Sequence, residues 1–378
     1  MNQSVLIGIP CLKTGGTEMQ TLRLVEALTE GGYHCVTVCY FEYDYPMVQM
    51  FEKAGSRVVC LSAYGNRPTG IRNVYRFLKT GLKRVVEEYR PKIAHIQYMA
   101  PGAIPVTVLQ RLGVRTIVAT LHTDADIYRN LRLIHFLQRH CVTAFTCVTE
   151  AAERSFFGTS QLFNKDTKLH RHNHFTIHNC LAPDFAPVQA AGELPKAVIG
   201  IVARLVPIKG VDLVMPAFAK VLEKHPECRL LIVGDGKERT AMERQQAELG
   251  IGPEKTEWVG TAEHRKLHEY YSRMSLVWMP SRSEGFGLSA IEAMAQGRAV
   301  VASATGGLCE IIDDGNDGIL FRKGDADDMA TKTIALLDDI QRLQTLSANA
   351  LQKAKQFSFD NYKASILTLY SKLTSETK

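Results

Sequence analysis

Short runs of β-branched and other apolar residues alternate along the whole chain with stretches in which apolar positions recur every three or four residues. That alternation predicts βαβ units built around a mostly parallel sheet. In the first half the predicted strands are Val5–Ile9, Cys35–Tyr40, Arg57–Leu61, Ile93–Ile96, Thr116–Leu121, Ala144–Val148 and Phe175–Ile177. Helical periodicity is clearest over Met19–Thr29 and Arg72–Tyr89. In the second of these, Ile71, Val74, Tyr75, Leu78, Leu82, Val85, Val86 and Tyr89 fall on one face and read as core, with Arg72, Arg76, Lys79 and Lys83 elsewhere. The pattern then restarts with Ala197–Ala203, Arg229–Gly234, Glu257–Val259, Leu276–Met279, Ala299–Ala302 and Ile319–Phe321. Between the halves, Pro183 to Pro195 has the proline and glycine density of a linker. A chain of 378 residues exceeds one comfortable core, so two α/β domains are expected, over 1–186 and 187–355, followed by a terminal helix over 356–378.

Composition narrows the class. Apolar residues make up 46% and charged residues 22%, the balance of an ordinary globular protein, and no apolar run approaches the ~20 residues of a membrane helix. Ser4 to Ile9 reads as a strand and not as a secretory leader, which sets the expected location as cytoplasmic. Nine cysteines without a C-x-x-C pair read as free thiols, with Cys35 and Cys39 on one strand face. The net charge of +6 is concentrated in residues 1–186, which hold 21 Lys/Arg against 14 Asp/Glu, while the remainder holds 24 against 25. A basic first domain is expected to meet an anionic membrane surface peripherally, at its inner face, to attract phosphate-bearing acceptors, or merely to be solvated. Nucleic acid is not an expected partner, because no zinc finger, helix-turn-helix or aromatic-studded basic sheet is present.

Three segments carry candidate chemistry. Lys13-Thr14-Gly15-Gly16-Thr17-Glu18 lies between the first strand and a helix, where glycines let backbone N–H groups approach an anion; a plain tight turn is the competing reading. Gly200 to Gly210 is a strand ending in a loop that bears Arg204 and Lys209. At the carboxyl end of a strand in an open α/β sheet, a guanidinium and an ammonium would neutralise a diphosphate, although two solvated cations would explain that loop taken alone. The third segment runs from Pro280 through Ser281-Arg282-Ser283-Glu284-Gly285-Phe286-Gly287-Leu288 to Glu292 and Gly297. With Glu284 in the loop and Glu292 two turns into the following helix, both carboxylates would face one cleft, and the Gly285 to Leu288 turn would offer N–H groups at the helix start. The competing reading, Glu284 as a cap and Glu292 on a solvated face, leaves the two glycines around Phe286 unexplained.

Taken together and in this order, these segments resemble the retaining glycosyltransferases of family 4. The resemblance spans nearly the whole chain and adds Gly234-Asp235-Gly236 and Gly306-Gly307-Leu308-Cys309-Glu310-Ile311. It implies the GT-B fold: two Rossmann-like domains facing each other across a cleft, with a C-terminal helix crossing back to the first. It implies a hexosyl-type transfer from a nucleoside-diphosphate sugar, such as a UDP- or GDP-sugar, to a hydroxyl of a glycan, glycolipid or lipid-linked saccharide. Residue by residue, Gly15 and Gly16 would approach the donor phosphates and Gly234 would belong to the donor site. Arg204 and Lys209 would stabilise the leaving diphosphate, and Glu292 would bind the ribose. Glu284 with the Phe286-Gly287-Leu288 backbone would hold the sugar, and His122 would reach it from the first domain. No cofactor or metal is implied. Two departures stand out. Cys180 occupies the place of a glycine in Ile177-His178-Asn179-Cys180, and Ala94-His95-Ile96-Gln97 lacks the aspartate often found at that strand end.

Weaker signals take bland readings. Asp124-Ala125-Asp126 has the D-x-D spacing of metal-dependent transferases but is expected to be a surface or acceptor-facing loop. His170, His172 and His174 alternate as zinc ligands on a strand would, yet a polar hairpin is the expectation. The alternatives to a transferase are a non-catalytic nucleotide-sugar-binding protein and a sugar-nucleotide epimerase. The co-occurrence of Arg204, Lys209, Glu284 and Glu292 argues for catalysis.

Overall fold

The computed structural model describes residues 3–63, 65–98, 103–128, 130–169, 173–185, 187–188, 194–195 and 197–375. The chain forms two compact units, Met1–Cys180 together with Phe359–Lys378, and Leu181–Ser358.

The first unit holds seven strands: β1 (Ser4–Ile9), β2 (His34–Cys39), β3 (Arg57–Cys60), β4 (Ile93–Gln97), β5 (Thr116–Leu121), β6 (Ala144–Cys147) and β7 (His174–Thr176). They form one sheet in the order β3-β2-β1-β4-β5-β6-β7, with every pairing parallel. Burial on both faces explains why these strands read as continuous apolar runs. One face is covered by α1 (Gly16–Glu30), α2 (Tyr45–Lys53) and the last helix of the chain, Phe359–Ser375, whose Ile366, Leu369, Tyr370 and Leu373 join that core. The other face is covered by α3 (Ile71–Tyr89), α4 (Ala103–Arg111), α5 (Leu131–His140) and α6 (Glu150–Phe157). Leu78, Leu82 and Val85 of α3 are buried as expected, but Ile71 is 76% exposed. It is the first residue of the helix, preceded by Gly70 at φ +80°, and stands clear of the turns that pack on the sheet.

The second unit repeats the scheme with β8 (Val198–Val202), β9 (Arg229–Val233), β10 (Thr256–Gly260), β11 (Leu276–Met279), β12 (Ala299–Ser303) and β13 (Ile319–Phe321), in the order β10-β9-β8-β11-β12-β13. Its helices are α7 (Val214–Lys224), α8 (Arg239–Glu248), α9 (Leu267–Ser272), α10 (Leu288–Ala295), α11 (Leu308–Ile311), α12 (Ala326–Asp338) and α13 (Ile340–Ala354). The core gathers Trp278, Phe218, Phe321 and the strand interiors, and Trp278 donates its indole N–H to Thr333 Oγ1 at 2.8 Å. The terminal helix of the first unit is therefore α14 in chain order.

Both sheets reverse direction beside their first strand, so β1 separates β2 from β4, and β8 separates β9 from β11. Loops leaving adjacent strands diverge to opposite faces at such a switch point, opening a crevice at the strands' carboxyl ends. In the first unit the crevice lies between the loop after Ile9 and the end of β4 at Gln97. In the second it lies between the loop after Val202 and the loop after Met279. The candidate segments fall on these loops.

Candidate functional site

In the second unit the switch point brings Lys209 and Glu284 together: the Lys209 Nζ donates to Glu284 Oε2 at 2.5 Å, and Ser281 Oγ donates to the same oxygen at 3.2 Å. Local geometry explains how the loops reach one another. Pro207–Lys209 is a single 3₁₀ turn closed by Gly210 at φ +62°, and a Cβ at Gly210 would lie 1.9 Å from the carbonyl oxygen of Pro280. Only glycine lets the Lys209 loop press against the β11 exit. The two loops are then clamped by Arg282, whose guanidinium takes the Asp212 carboxylate in a fork at 2.5 and 2.6 Å and also donates to the Pro207 carbonyl at 3.0 Å. That fork holds the Asp212 carboxyl below the usual carboxylate range.

Arg204 leaves the end of β8 exposed, and its guanidinium makes no side-chain hydrogen bond or ion pair among the described residues. A small pocket beside it is lined by Ile201, Val202, Ala203, Lys209, Val211, Trp278, Met279, Pro280, Ser281 and Ser289, an apolar floor with Lys209 at its edge. Gly234 ends β9 at φ +133°, and a Cβ there would sit 1.8 Å from the Ala203 carbonyl oxygen, so the β9 loop packs directly on the backbone next to Arg204.

Glu292 lies in the second turn of α10, nearer the helix start than the two turns expected, because the helix begins only at Leu288. It is 8% exposed, with Oε1 2.9 Å from His264 Nε2 and Oε2 accepting from the Tyr271 hydroxyl at 3.1 Å. Burial, with the neighbouring Glu292 charge adding to it, pushes the Tyr271 phenol well above its ordinary value. Glu284 and Glu292 thus take different partners, the first an ammonium and the second an imidazole and a phenol. Ahead of α10, Gly287 adopts φ +113° and Phe286 is buried with its ring edge-on to Phe357 at 5.7 Å. The Ala290 and Ile291 N–H groups both donate to the Gly287 carbonyl, at 2.9 and 3.3 Å, so in the first turn of α10 only the N–H groups of Leu288 and Ser289 have no acceptor within the helix.

Gly15, Gly16 and His122 belong to the first unit. Gly15 is the N-cap of α1 and Gly16 its first residue. The space a Cβ would take at Gly15 is filled by the Glu18 carboxylate, whose Oε2 would lie 2.4 Å away. Glu18 also accepts from Cys11 Sγ at 3.2 Å, and burial, aided by that contact, pushes the Cys11 thiol up to about 12. Gly15 therefore makes room for a residue of the chain's own helix. His122 follows β5, is 8% exposed, and sets Nε2 2.7 Å from Gln97 Oε1, while burial pulls its imidazole down to about 3. The Tyr98 ring lies 5.2 Å from His122, and the Tyr98 hydroxyl donates to Thr17 Oγ1 at 2.6 Å, tying the strand end to the glycine loop.

The remaining signals resolve individually. Cys180, in place of a glycine, is buried, and the Gln20 amide reads its backbone in both directions, accepting from Cys180 N at 3.1 Å and donating to Cys180 O at 2.6 Å. His95 is buried, hydrogen-bonded to Thr120 Oγ1 at 2.6 Å and Tyr370 OH at 2.9 Å, and held near a pKa of 3, by burial first and then by His122. Asp124 precedes a 3₁₀ turn, Ala125–Ile127, in which Asp126 is exposed. His170 and His172 lie outside the described residues. His174 sits on β7, paired in parallel with β6 and not in a hairpin, and its Nδ1 is 2.8 Å from the buried Glu153 of α6. Among the described residues no three His, Cys, Asp or Glu side chains gather as a metal site would require.

Sequence reasoning missed Arg282, Asp212, His264, Tyr271, Gln97 and Tyr98. Arg282 stands inside a segment already singled out. Gln97 likewise closes the Ala94 to Gln97 strand end already noted for its missing aspartate, while Asp212, His264, Tyr271 and Tyr98 carried no local signal, because each gains its role from a partner distant in sequence.

Two family matches cover most of the chain: residues 15–158 match "Glycosyl transferase 4-like domain" and residues 188–353 match "Glycosyl transferases group 1". A D-inositol 3-phosphate glycosyltransferase of Catenulispora acidiphila is 34% identical over 185 residues, 47% of this chain and 43% of that protein, so the chain matches less than half of that relative's length. An uncharacterized glycosyltransferase of Methanocaldococcus jannaschii is 24% identical over 95% of each chain. Among solved structures, Anabaena HepE in complex with UDP and glucose shares the fold with a TM-score of 0.79 at 19% identity, over 98% of this chain and 100% of that one. The sucrose-phosphate synthase of Thermosynechococcus elongatus gives a TM-score of 0.77 at 20% identity, over 99% and 100%. With both glycosyltransferase domain types matched in order along the chain, the chain belongs to the family 4 glycosyltransferases, and the solved structures share its fold.

Proposed function

We propose that the chain transfers a hexosyl-type group from a nucleoside-diphosphate sugar to a hydroxyl of a glycan, glycolipid or lipid-linked saccharide, with retention of anomeric configuration. The observation that carries this reading is the second unit's switch point, where Lys209 and Glu284 meet on loops that leave β8 and β11, the first of which also carries the exposed Arg204. The UDP, glucose and UDP-glucose held by HepE support a nucleotide-sugar donor, so UDP- and GDP-sugars are the first to test.

In the proposed reaction the acceptor oxygen bonds to the anomeric carbon as the bond from that carbon to the phosphate oxygen breaks. The acceptor proton passes to the departing diphosphate on the same face. Negative charge grows on the diphosphate, and preorganised cations there contribute most of the rate. Lys209 has three N–H donors, so it can keep Glu284 while reaching a phosphate oxygen, and Arg204 can add a fork of donors. An ionised carboxylate offers about four lone-pair sites. Glu292 can therefore hold His264 and Tyr271 and still accept from ribose hydroxyls, while Glu284 and the Phe286 to Leu288 backbone hold the sugar. Gly234 keeps the β9 loop against the Ala203 carbonyl next to Arg204. In the first unit, Gly15, Gly16 and His122 are proposed as donor-binding residues.

Calorimetric titration with UDP, GDP and ADP tests the donor side: one diphosphate should bind, and Glu292→Ala should weaken it. Failure of all three to bind the wild-type chain would overturn the reading. With these cations in place no metal is required, so EDTA should leave transfer unchanged; its abolition would contradict this. A peripheral membrane role is supported by the exposed Arg72, Arg76, Lys79 and Lys83 of α3, with Ile71 at 76% exposure, and by Phe136 of α5 at 54%. No helix among the described residues is long and apolar enough to cross a membrane. Flotation with liposomes should depend on anionic lipid and fall with salt, and flotation indifferent to both would contradict it.

A further inference from the structure

At the carboxyl ends of the first unit's central strands His122 lines a small pocket together with Gln20, His95, Gln97, Thr120 and Thr146 and with apolar neighbours such as Leu24 and Ile177. His95, Thr120 and Thr146 form a continuous hydrogen-bonded chain, with His95 Nε2 to Thr120 Oγ1 and Thr120 Oγ1 to Thr146 Oγ1 both at 2.6 Å. His122 stands apart from that chain. Its partner is the 2% exposed Gln97, and its other ring nitrogen, Nδ1, makes no hydrogen bond among the described residues.

With the Gln97 amide oxygen facing it at 2.7 Å, Nε2 carries the proton, since two lone pairs at that separation repel; the reversed amide would make Nε2 the acceptor, and a measurement of the tautomer separates the two. The proton is then absent from Nδ1, because burial keeps the ring neutral. The ring is also fixed in direction. Tyr98 packs against it and is itself held by Thr17, in a left-handed backbone conformation (φ +62°) that a bulky non-glycine residue adopts only when its surroundings impose it. We propose that Gln97 is a positioning residue that fixes His122 as the Nε2–H tautomer, so that Nδ1 presents a lone pair to a hydroxyl of the bound sugar. His122 then accepts a hydrogen bond and does not donate one, and the transferred group must carry a free hydroxyl at that point.

The assignment of the hydroxyl to the sugar rests on the glycosyl-transfer reading; the tautomer does not. Titratable groups facing the cavity are His95 on β4 and Tyr362 on α14, with Tyr98 against the ring, and no carboxylate lines it. Gln97→Glu therefore introduces a new charge opposite Nε2. It should raise the His122 pKa from about 3. An imidazolium carries a proton on Nδ1 and cannot accept, so the variant should lose activity as pH falls through the raised value, with kcat/KM restored at alkaline pH. Gln97→Met keeps the shape without the acceptor and should lower kcat/KM about tenfold at every pH.

The deciding measurement is ¹⁵N NMR of the full chain labelled at histidine, with His122 assigned by its loss in His122→Asn. The wild type should show a protonated Nε2 and an unprotonated Nδ1, and Gln97→Met should shift population toward the Nδ1–H form. A wild-type Nδ1–H tautomer, or a tautomer unmoved in Gln97→Met, overturns the proposal even if no transfer is ever detected. If the tautomer is as proposed and a folded Gln97→Glu chain shows no acid limb in its rate, His122 does not accept from substrate, and that part fails.

Discussion

Glu292 and its two partners show how a residue can be legible while its setting is not. The segment from Glu284 to Glu292 announced paired carboxylates, yet nothing near His264 or Tyr271 in the sequence marked them as the groups holding Glu292. Such partners come from other loops, and pairing across loops leaves no local pattern. The setting makes a testable distinction. Glu292→Gln keeps a side chain of the same shape that still bonds Tyr271, so the thermal midpoint should move by only a few degrees. Affinity for the nucleoside diphosphate should fall about tenfold, since the charged acceptor for ribose is gone. Equal affinity in calorimetry would remove Glu292 from the donor site. At Gly15 the glycine signal was legible but its neighbour was not: a Cβ there would meet the Glu18 carboxylate, a contact that no local pattern announced.

At the scale of elements, the strands were legible because a parallel sheet buried on both faces writes itself as apolar runs. The predicted Thr116–Leu121, Leu276–Met279 and Ile319–Phe321 coincide with β5, β11 and β13, and the others differ by a residue or two at their ends. What periodicity could not show is which loops meet, since strand order sets that. The clamp between Asp212 and Arg282 joins the loops after β8 and β11 only because those strands are neighbours. Both side chains are about two-fifths exposed, so breaking the pair should cost folding no more than about 1 kcal/mol. Arg282→Ala and Asp212→Ala should instead each raise the donor KM about tenfold, and the double variant no further, because the two act as one unit. Additive losses in that cycle would separate them. Gly234→Ala should be worse than either for folding. A Cβ 1.8 Å from the Ala203 carbonyl oxygen, at φ +133°, should lower stability by about 2 kcal/mol or more in denaturant unfolding.

At the scale of the molecule, two compact units make a single unfolding free energy a poor descriptor, and their pH responses should differ. His95 and His122 are held near 3 in the folded first unit, against an ordinary value of 6.5. Below that ordinary value the unfolded chain takes up protons that the folded unit refuses. Stability of the first unit should therefore be flat above about pH 6.5 and fall steadily as pH drops toward 3, a slope that His95→Gln or His122→Asn reduces. Denaturant midpoints between pH 8 and 4, followed by hydrogen exchange within β4 and β5, would show it.

Positive charge at the second unit's switch point is proposed to drive departure of a nucleoside diphosphate. The direct measurement is release of nucleoside diphosphate from a panel of UDP-, GDP- and ADP-sugars by the wild-type chain and by Lys209→Ala, with folding checked by circular dichroism. Release is expected from one donor class, reduced about 10²- to 10³-fold in a folded Lys209→Ala chain. Wild-type turnover in that variant would contradict it.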